Sequence, residues 1–287
     1  MTRRDTLPFV FLAPVVGFLA ILAFAPTIFA IVLSFQNRTL SAPDADFVGL
    51  KNYRALFSDD RFLNAVYVSV KWEIMTVSAT MALAIGLGVL MFEAAAPRMR
   101  TALSLIFLIP ALLPRVCAAF VWKFAFHPLY GIVFWPYRAL TGNTIDILTQ
   151  PRAALFAVGF VDVWQWGFFF SVIVLKLLET LPPQPIEAAK LDYARPWQIH
   201  AYVTLPMLWG PLVGITLAKA IESLRSFDLI YVMTRGGPGT STETLDMYAF
   251  SQGFIEAGNI SYASSMAVLM MILTIAVFTF VWRRVRT

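Results

Sequence analysis

Six apolar runs recur along this chain, at about 8–35, 62–92, 102–126, 153–179, 207–232 and 263–282, each near the length a helix needs to cross hydrocarbon. A water-soluble core does not call for 59% hydrophobic residues with only 14% charged in 287. Lipid offers the backbone no hydrogen-bond partners, so runs of this length predict helices. The expectation is an all-α integral membrane protein: one domain over residues 1–287, with six transmembrane helices and both termini on one side. The 25 Phe and 8 Trp suit lipid-facing and interfacial positions.

Basic residues set the expected orientation. One set of short segments carries Arg3, Arg4, Arg98, Arg100, Lys190, Arg195, Arg283, Arg284 and Arg286 close to the runs. The other set holds Arg38, Lys51, Arg54, Arg61, Arg138, Arg152 and Arg235, diluted by Asp44, Asp46, Asp59 and Asp60. The positive-inside rule places the first set, and with it both termini, in the cytoplasm. Arg3 and Arg4 before an apolar body could open a signal peptide, but the run is too long for one and its Ala23-Phe24-Ala25 site is followed by Pro26. It reads as the first span.

Several function classes drop out. A net charge of +5 could point to nucleic acid, yet the cations flank the runs rather than form a patch with interleaved aromatics. Cys117, the single cysteine, sits inside an apolar run and reads as a small buried hydrophobe. His127 and His200 fall at opposite faces, roughly 30 Å apart, so they do not act as a pair. No metal-ligand cluster and no serine–histidine arrangement is present, which argues against an enzyme. No Gly is followed directly by Lys, so there is no Walker A loop and energy must come from elsewhere.

Between the fourth and fifth runs lies a mixed-polarity island, residues 180–206. It contains Glu187-Ala188-Ala189-Lys190-Leu191-Asp192-Tyr193-Ala194 and ends on Leu205-Pro206. It predicts short amphipathic helices at a membrane surface with something packed on them. The segment resembles the Glu-Ala-Ala loop of binding-protein-dependent ABC importer permeases, in which that triplet is followed by an acidic residue, Gly, Ala and, after a spacer, Leu-Pro.

Three further patterns are similar to the carbohydrate-importing branch of that family, the permeases for maltose and glycerol 3-phosphate. They are Phe47-Val48-Gly49-Leu50-Lys51-Asn52-Tyr53, then Trp122-Lys123-Phe124 with Pro128 and Gly131, and Phe227-Asp228-Leu229-Ile230-Tyr231 with Thr234-Arg235-Gly236-Gly237-Pro238 and Ser241-Thr242. The resemblance implies the type I ABC importer permease fold, in a bacterial inner membrane, with 180–206 as a cytoplasmic coupling loop. It also implies a homologous second permease subunit, two ATPase subunits that use ATP and Mg, and an extracytoplasmic solute-binding protein. This chain itself would bind no cofactor. Glu187, Ala188, Ala189, Asp192, Tyr193, Ala194, Leu205 and Pro206 would form the ATPase contact.

Tyr193 departs from the pattern. Glycine there would allow a turn with positive φ, which Tyr adopts only with strain. Either the turn is built differently, or Tyr193 takes a helical conformation and adds an aromatic contact.

Charged residues at membrane depth face a bundle interior or a water-filled path. Arg115 falls about 20 Å along the third run at about 1.5 Å per residue. Asp162, Gln165 and Trp166 lie in the fourth, and Lys219, Glu222, Ser223 and Ser226 in the fifth, at i, i+3, i+4 and i+7 on one helical face. Together they could line a cavity for a sugar or sugar derivative, with Arg115 meeting an anionic group on it. The alternative is structural: Arg115 pairs with Asp162 or Glu222, and the serines permit close helix packing. Asp228 caps or pairs locally. The rival to an ATP-driven importer is an ion-gradient-driven secondary transporter of small polar solutes, which would tend to show repeated halves with broken helices.

Overall fold

A computed structural model of the chain describes the backbone of residues 3–42 and 46–286, and their side chains except those of 3–11, 281, 282 and 284–286. Asp44 and the side chains of Arg3, Arg4, Arg284 and Arg286, used in the orientation argument, fall outside the described residues.

The order of elements is α1 (Arg3–Ser34), β1 (Gln36–Asn37), β2 (Asp46–Phe47), α2 (Lys51–Phe57), α3 (Asp60–Ala94), α4 (Pro97–Leu112), α5 (Arg115–Ala125), α6 (Trp135–Thr141) and α7 (Ala154–Glu179). There follow α8 (Pro183–Leu191), α9 (Pro196–Ile199), a π-helical turn (His200–Thr204), α10 (Leu205–Met207), α11 (Trp209–Ser223), α12 (Phe227–Met233), α13 (Leu245–Phe250) and α14 (Ile260–Arg286). Among the described residues, Leu12–Ser34, Asp60–Ala94, Ala154–Glu179 and Ile260–Phe280 are each long and apolar enough to cross a membrane.

Two of the expected spans are not straight helices. In the third, α4 and α5 meet at 92°. Pro114 supplies no N–H, and Leu113 before it is extended at ψ 132°, as the residue preceding a proline is pushed to be. Arg115 therefore opens a new helix, and a depth reckoned along one straight helix does not hold for it. In the fifth, Pro196–Met207 meets Trp209–Ser223 at 78°. That helix stops at Ser223, and Ser226 is instead the N-cap of α12, so the expected four-residue face ends after Ser223.

The chain divides into two compact units. The first comprises 1–63 and 248–275. Here the Phe47–Tyr53 stretch locks α2 onto the end of α1: Asn52 Nδ2 donates to the carbonyls of Ser34 at 2.9 Å and Gln36 at 2.8 Å, and Tyr53 donates to Ser34 Oγ at 2.7 Å. Asp59 Oδ2 accepts from both Tyr248 and Tyr262 at 2.6 Å, while Arg61 forks onto Glu256 at 2.8 and 2.9 Å.

The second unit, 64–247 and 276–287, holds two apolar clusters. In one, Trp72, Val158, Val161, Leu229, Ile230 and Met233 pack with Phe126; in the other, Ala84, Phe170, Val174 and Leu178 pack with Leu208 and Leu212. Trp166 belongs to the second cluster, edge-on to Phe169. Cys117 is exposed, contrary to expectation. The helix α5 turns Ala118 and Ala119 inward and leaves Cys117 outside that covered stripe. Gly131 is explained by close approach: a Cβ there would stand 2.3 Å from the Ala125 carbonyl and 2.5 Å from that of His127.

Candidate functional site

Along α7, Asp162 and Gln165 fall between the residues that feed the two apolar clusters. Charge buried in an apolar surround must be paired. Asp162 Oδ2 accepts from Lys219 Nζ at 2.7 Å and Oδ1 from Arg115 Nη2 at 3.0 Å. Lys219 also donates to Glu222 Oε2 at 2.7 Å, and Arg115 bonds both Glu222 Oε1 and the carbonyl of Arg225. Two cations and two carboxylates thus alternate in a closed ring. Asp162 and Lys219 have fully buried side chains, whereas those of Arg115 and Glu222 keep 12% and 19% of their surface exposed.

Around the ring, Gln165 Nε2 donates at 2.7 Å to the carbonyl of Leu113, the residue at the α4–α5 bend. Ser223 shares a 2.6 Å bond with Thr76, and its carbonyl accepts from Trp72 Nε1 at 3.1 Å. Ser226 reaches Asp246 instead, at 3.3 Å. The structure therefore brings Arg115, Asp162, Gln165, Lys219, Glu222 and Ser223 together. It leaves Trp166 in an apolar cluster and Ser226 with a different carboxylate.

Glu73, on α3, is the member that sequence reasoning passed over. It follows Trp72 and precedes Thr76, both bonded to Ser223, and its Oε2 is buried without a hydrogen-bond partner among the described residues, as is Gln165 Oε1. The signal that could have found it is the same one that flagged Asp162: an acid inside an apolar run.

The 180–206 island is built around Tyr193. Its φ is +56°, so the tyrosine occupies the left-handed conformation that glycine would take, and neither of the alternatives expected for it holds. The reason is the helix ending: Tyr193 N–H donates to Lys190 O and Ala194 N–H to Ala189 O, both at 3.1 Å, which is the Schellman pairing with a left-handed residue in its turn. Arg195 then caps α9, with its N–H donating to Gln198 Oε1 at 2.8 Å, and Pro196 fixes the first turn. The helix α8, which carries Glu187, Ala188 and Ala189, buries no residue within the chain, and Asp192 is its C-cap. Leu191, Tyr193, Trp197 and Tyr202 stand exposed around the corner, while Leu205 is half-buried and Pro206 exposed beyond it. Beneath them His200 Nε2 bonds Glu93 Oε1 at 3.0 Å.

The third family-like stretch closes on itself. Thr234 and Thr242 share a 2.7 Å hydroxyl bond, and Thr242 donates to the Gly237 carbonyl at 2.8 Å. Asp228 lies in the first turn of α12, where an acid complements the helix dipole.

Residues 72–286 match the family model described as binding-protein-dependent transport system inner membrane component. The chain belongs to this family. The permease is 32% identical, over 96% of its length and 89% of the relative's, to the sulfoquinovosyl glycerol transport system permease protein SmoG of Agrobacterium fabrum. It is 28% identical, over 99% and 94% of the two chains, to the trehalose/maltose transport system permease protein MalF of Thermococcus litoralis. Its fold is that of a solved type I importer: a chain of a bacterial ABC transporter for the acidic polysaccharide alginate superposes with a TM-score of 0.86 at 19% identity, covering 99% of this chain and 96% of that one. The permease is thus an inner-membrane subunit of an ABC importer with sugar-related relatives, and membrane subunits of this family are not enzymes.

Proposed function

We propose that the permease forms half of the translocation path of an ATP-driven importer for a sugar or sugar derivative, with residues 180–206 as its cytoplasmic contact with an ATPase subunit. The observation that carries this reading is the exposed corner at Tyr193. A Schellman turn holds Leu191, the last residue of a helix that buries nothing in its own chain, at 79% exposure, Tyr193 just past it at 95%, and Trp197 on the next helix at 58%. Large apolar side chains grouped at an ordered corner fit a partner's cleft. Glu187 is exposed on the same helix as Leu191 and supplies its charged contact.

In this reading both termini are cytoplasmic. A homologous permease supplies the other half of the path, two ATPase subunits hydrolyse MgATP, and an extracytoplasmic binding protein delivers the solute. The charged ring sits beside the path: Arg115 and Glu222, its partly exposed members, face the solute, and Asp162, Lys219 and Gln165 hold them from behind. Arg115 already meets two carboxylates and a carbonyl, which favours a hydroxyl-rich group over an anion at that point. Family membership favours ATP over an ion gradient as the energy source.

The test is ATP hydrolysis by the purified complex in lipid, with and without its binding protein and a panel of sugars, for the parent and Glu187→Ala. Stimulation by one loaded binding protein, lost in the variant, is expected. Uptake by the chain without an ATPase, or a variant unchanged in assembly and turnover, would overturn the reading.

A further inference from the structure

The island 180–206 must pass any displacement to the spans, and its contact with α3 crosses a cleft. A groove of about 600 Å³ separates the two, lined by Ile85, Val89 and Leu90 on one side and Trp197, Ala201 and Leu205 on the other. Glu93 and His200 also line it, and they bridge it: Glu93 Oε1 lies 3.0 Å from His200 Nε2. The imidazole is held in place behind that bond. Its Nδ1 lies 2.9 Å from Thr204 Oγ1, its side chain is 7% exposed, and the edge of the Phe92 ring meets it at 6.2 Å between centroids. His200 and Thr204 are the first and last residues of the π-helical turn, a widened backbone that is frequent at functional positions.

The bridge continues past α3. Arg100, on α4, stacks on the Phe92 ring at 4.9 Å and bonds the carbonyls of Phe92 and Ala95. It also approaches Glu179 at 3.5 Å, and Glu179 pairs with Lys176 at 2.9 Å at the foot of α7. A pull on His200 therefore reaches the adjacent ends of three long helices through directional bonds, beside the groove that parts the island from α3.

We infer that Glu93 and His200 are positioning residues that carry the movement of the coupling loop into α3, so that breaking their bond separates ATP hydrolysis from solute movement. The inference rests on the reading of 180–206 as the ATPase contact. A merely local role for the pair would alter stability or assembly, but not the number of solutes moved per ATP.

The experiment measures uptake and hydrolysis together in vesicles holding the whole complex, with binding protein and transported sugar present. His200→Ala and Glu93→Ala should assemble and hydrolyse ATP near the parent rate while uptake per ATP falls by about fivefold or more, the lower end of ordinary coupling between sites. The double variant should be no worse than either single one. His200→Gln, which keeps an N–H to offer Glu93, should recover most of the ratio. Thr204→Val, which leaves the bridge but frees the ring behind it, should give a smaller fall and serves if His200→Ala does not assemble. A ratio equal to the parent's in His200→Ala, or in Thr204→Val where that substitutes, or an uncoupling that Gln fails to relieve, would overturn the inference. Glu187→Ala is measured alongside. Normal hydrolysis and uptake there would overturn the reading of the loop itself, whereas a defective Glu187→Ala beside a normal His200→Ala ratio would overturn the bridge alone.

Discussion

Lys219 Nζ lies 2.7 Å from Asp162 Oδ2, and neither side chain has any exposed surface. The pair joins α7 to α11 and is closed into a ring by Arg115 and Glu222. Such a ring contributes little net stability over an apolar replacement, but removing one member strands a buried charge.

Lys219→Met is accordingly expected to destabilise the permease by about 3–5 kcal/mol, because Asp162 and Glu222 are left with one cation between them. Lys219→Met with Asp162→Leu removes one charge of each sign and leaves Arg115 on Glu222. That double variant should be less destabilised than Lys219→Met alone, a non-additivity expected of residues in contact. Thermal unfolding in detergent of the parent, both single variants and the double checks it. Additive losses would show that the four groups do not act as a ring.

At Tyr193 the corner is held against the residue's own preference. A non-glycine residue in the left-handed region costs roughly 1–2 kcal/mol, so Tyr193→Gly should stabilise the isolated permease by about that amount. The same change removes the most exposed ring of the corner and should weaken retention of the ATPase subunits. Melting of the subunit and co-purification of the complex should move in opposite directions. A variant that melts no higher than the parent would refute the strain argument.

The Asp59 knot predicts sensitivity to acid in the first unit. Burial pushes this carboxyl up, but hydrogen bonds from Tyr248, Tyr262 and the amides of Phe62 and Arg61 outweigh it and hold the group below its ordinary value. Glu256 is likewise held low by its bond from Arg61. A carboxyl depressed in the folded state contributes stability that is complete above its unfolded value, near about 4, and is lost as pH falls through the folded-state value. Protection of the 248–262 amides in hydrogen exchange, corrected for intrinsic rate, should be flat from about pH 7 to 5 and fall below about 4. Asp59→Asn should show the reduced protection already at neutral pH. Equal protection in parent and variant across that range would show that the knot does not hold these segments.

How far the molecule was legible in its sequence depended on the range of the interaction concerned. The long apolar runs predict their helices because a span is decided within itself: about 20 apolar residues and a backbone that must bond internally. Glu187-Ala188-Ala189 and Leu205-Pro206 marked the island by local chemistry, and Asp162, Lys219 and Glu222 stood out as charges in apolar surroundings. The bends at Pro114 and Leu208 were harder to read, since a proline in a span is compatible with either a kink or a break. Cys117 was misplaced because an apolar run does not say which stripe of its helix the neighbouring helices cover, and in α5 they cover Ala118 and Ala119.

The sequence by itself therefore determined the class of molecule, the apolar runs from which its helices are drawn and which residues carry charge into them. Tertiary structure alone decided what each charge meets. Arg115 finds Asp162 across 47 positions and Glu222 across 107, and His200 finds Glu93 across 107, contacts that only the packing of separate helices creates. Tyr193 shows the same division: its own propensity opposes a left-handed turn, and the carbonyls of Ala189 and Lys190, placed by the preceding helix, impose one.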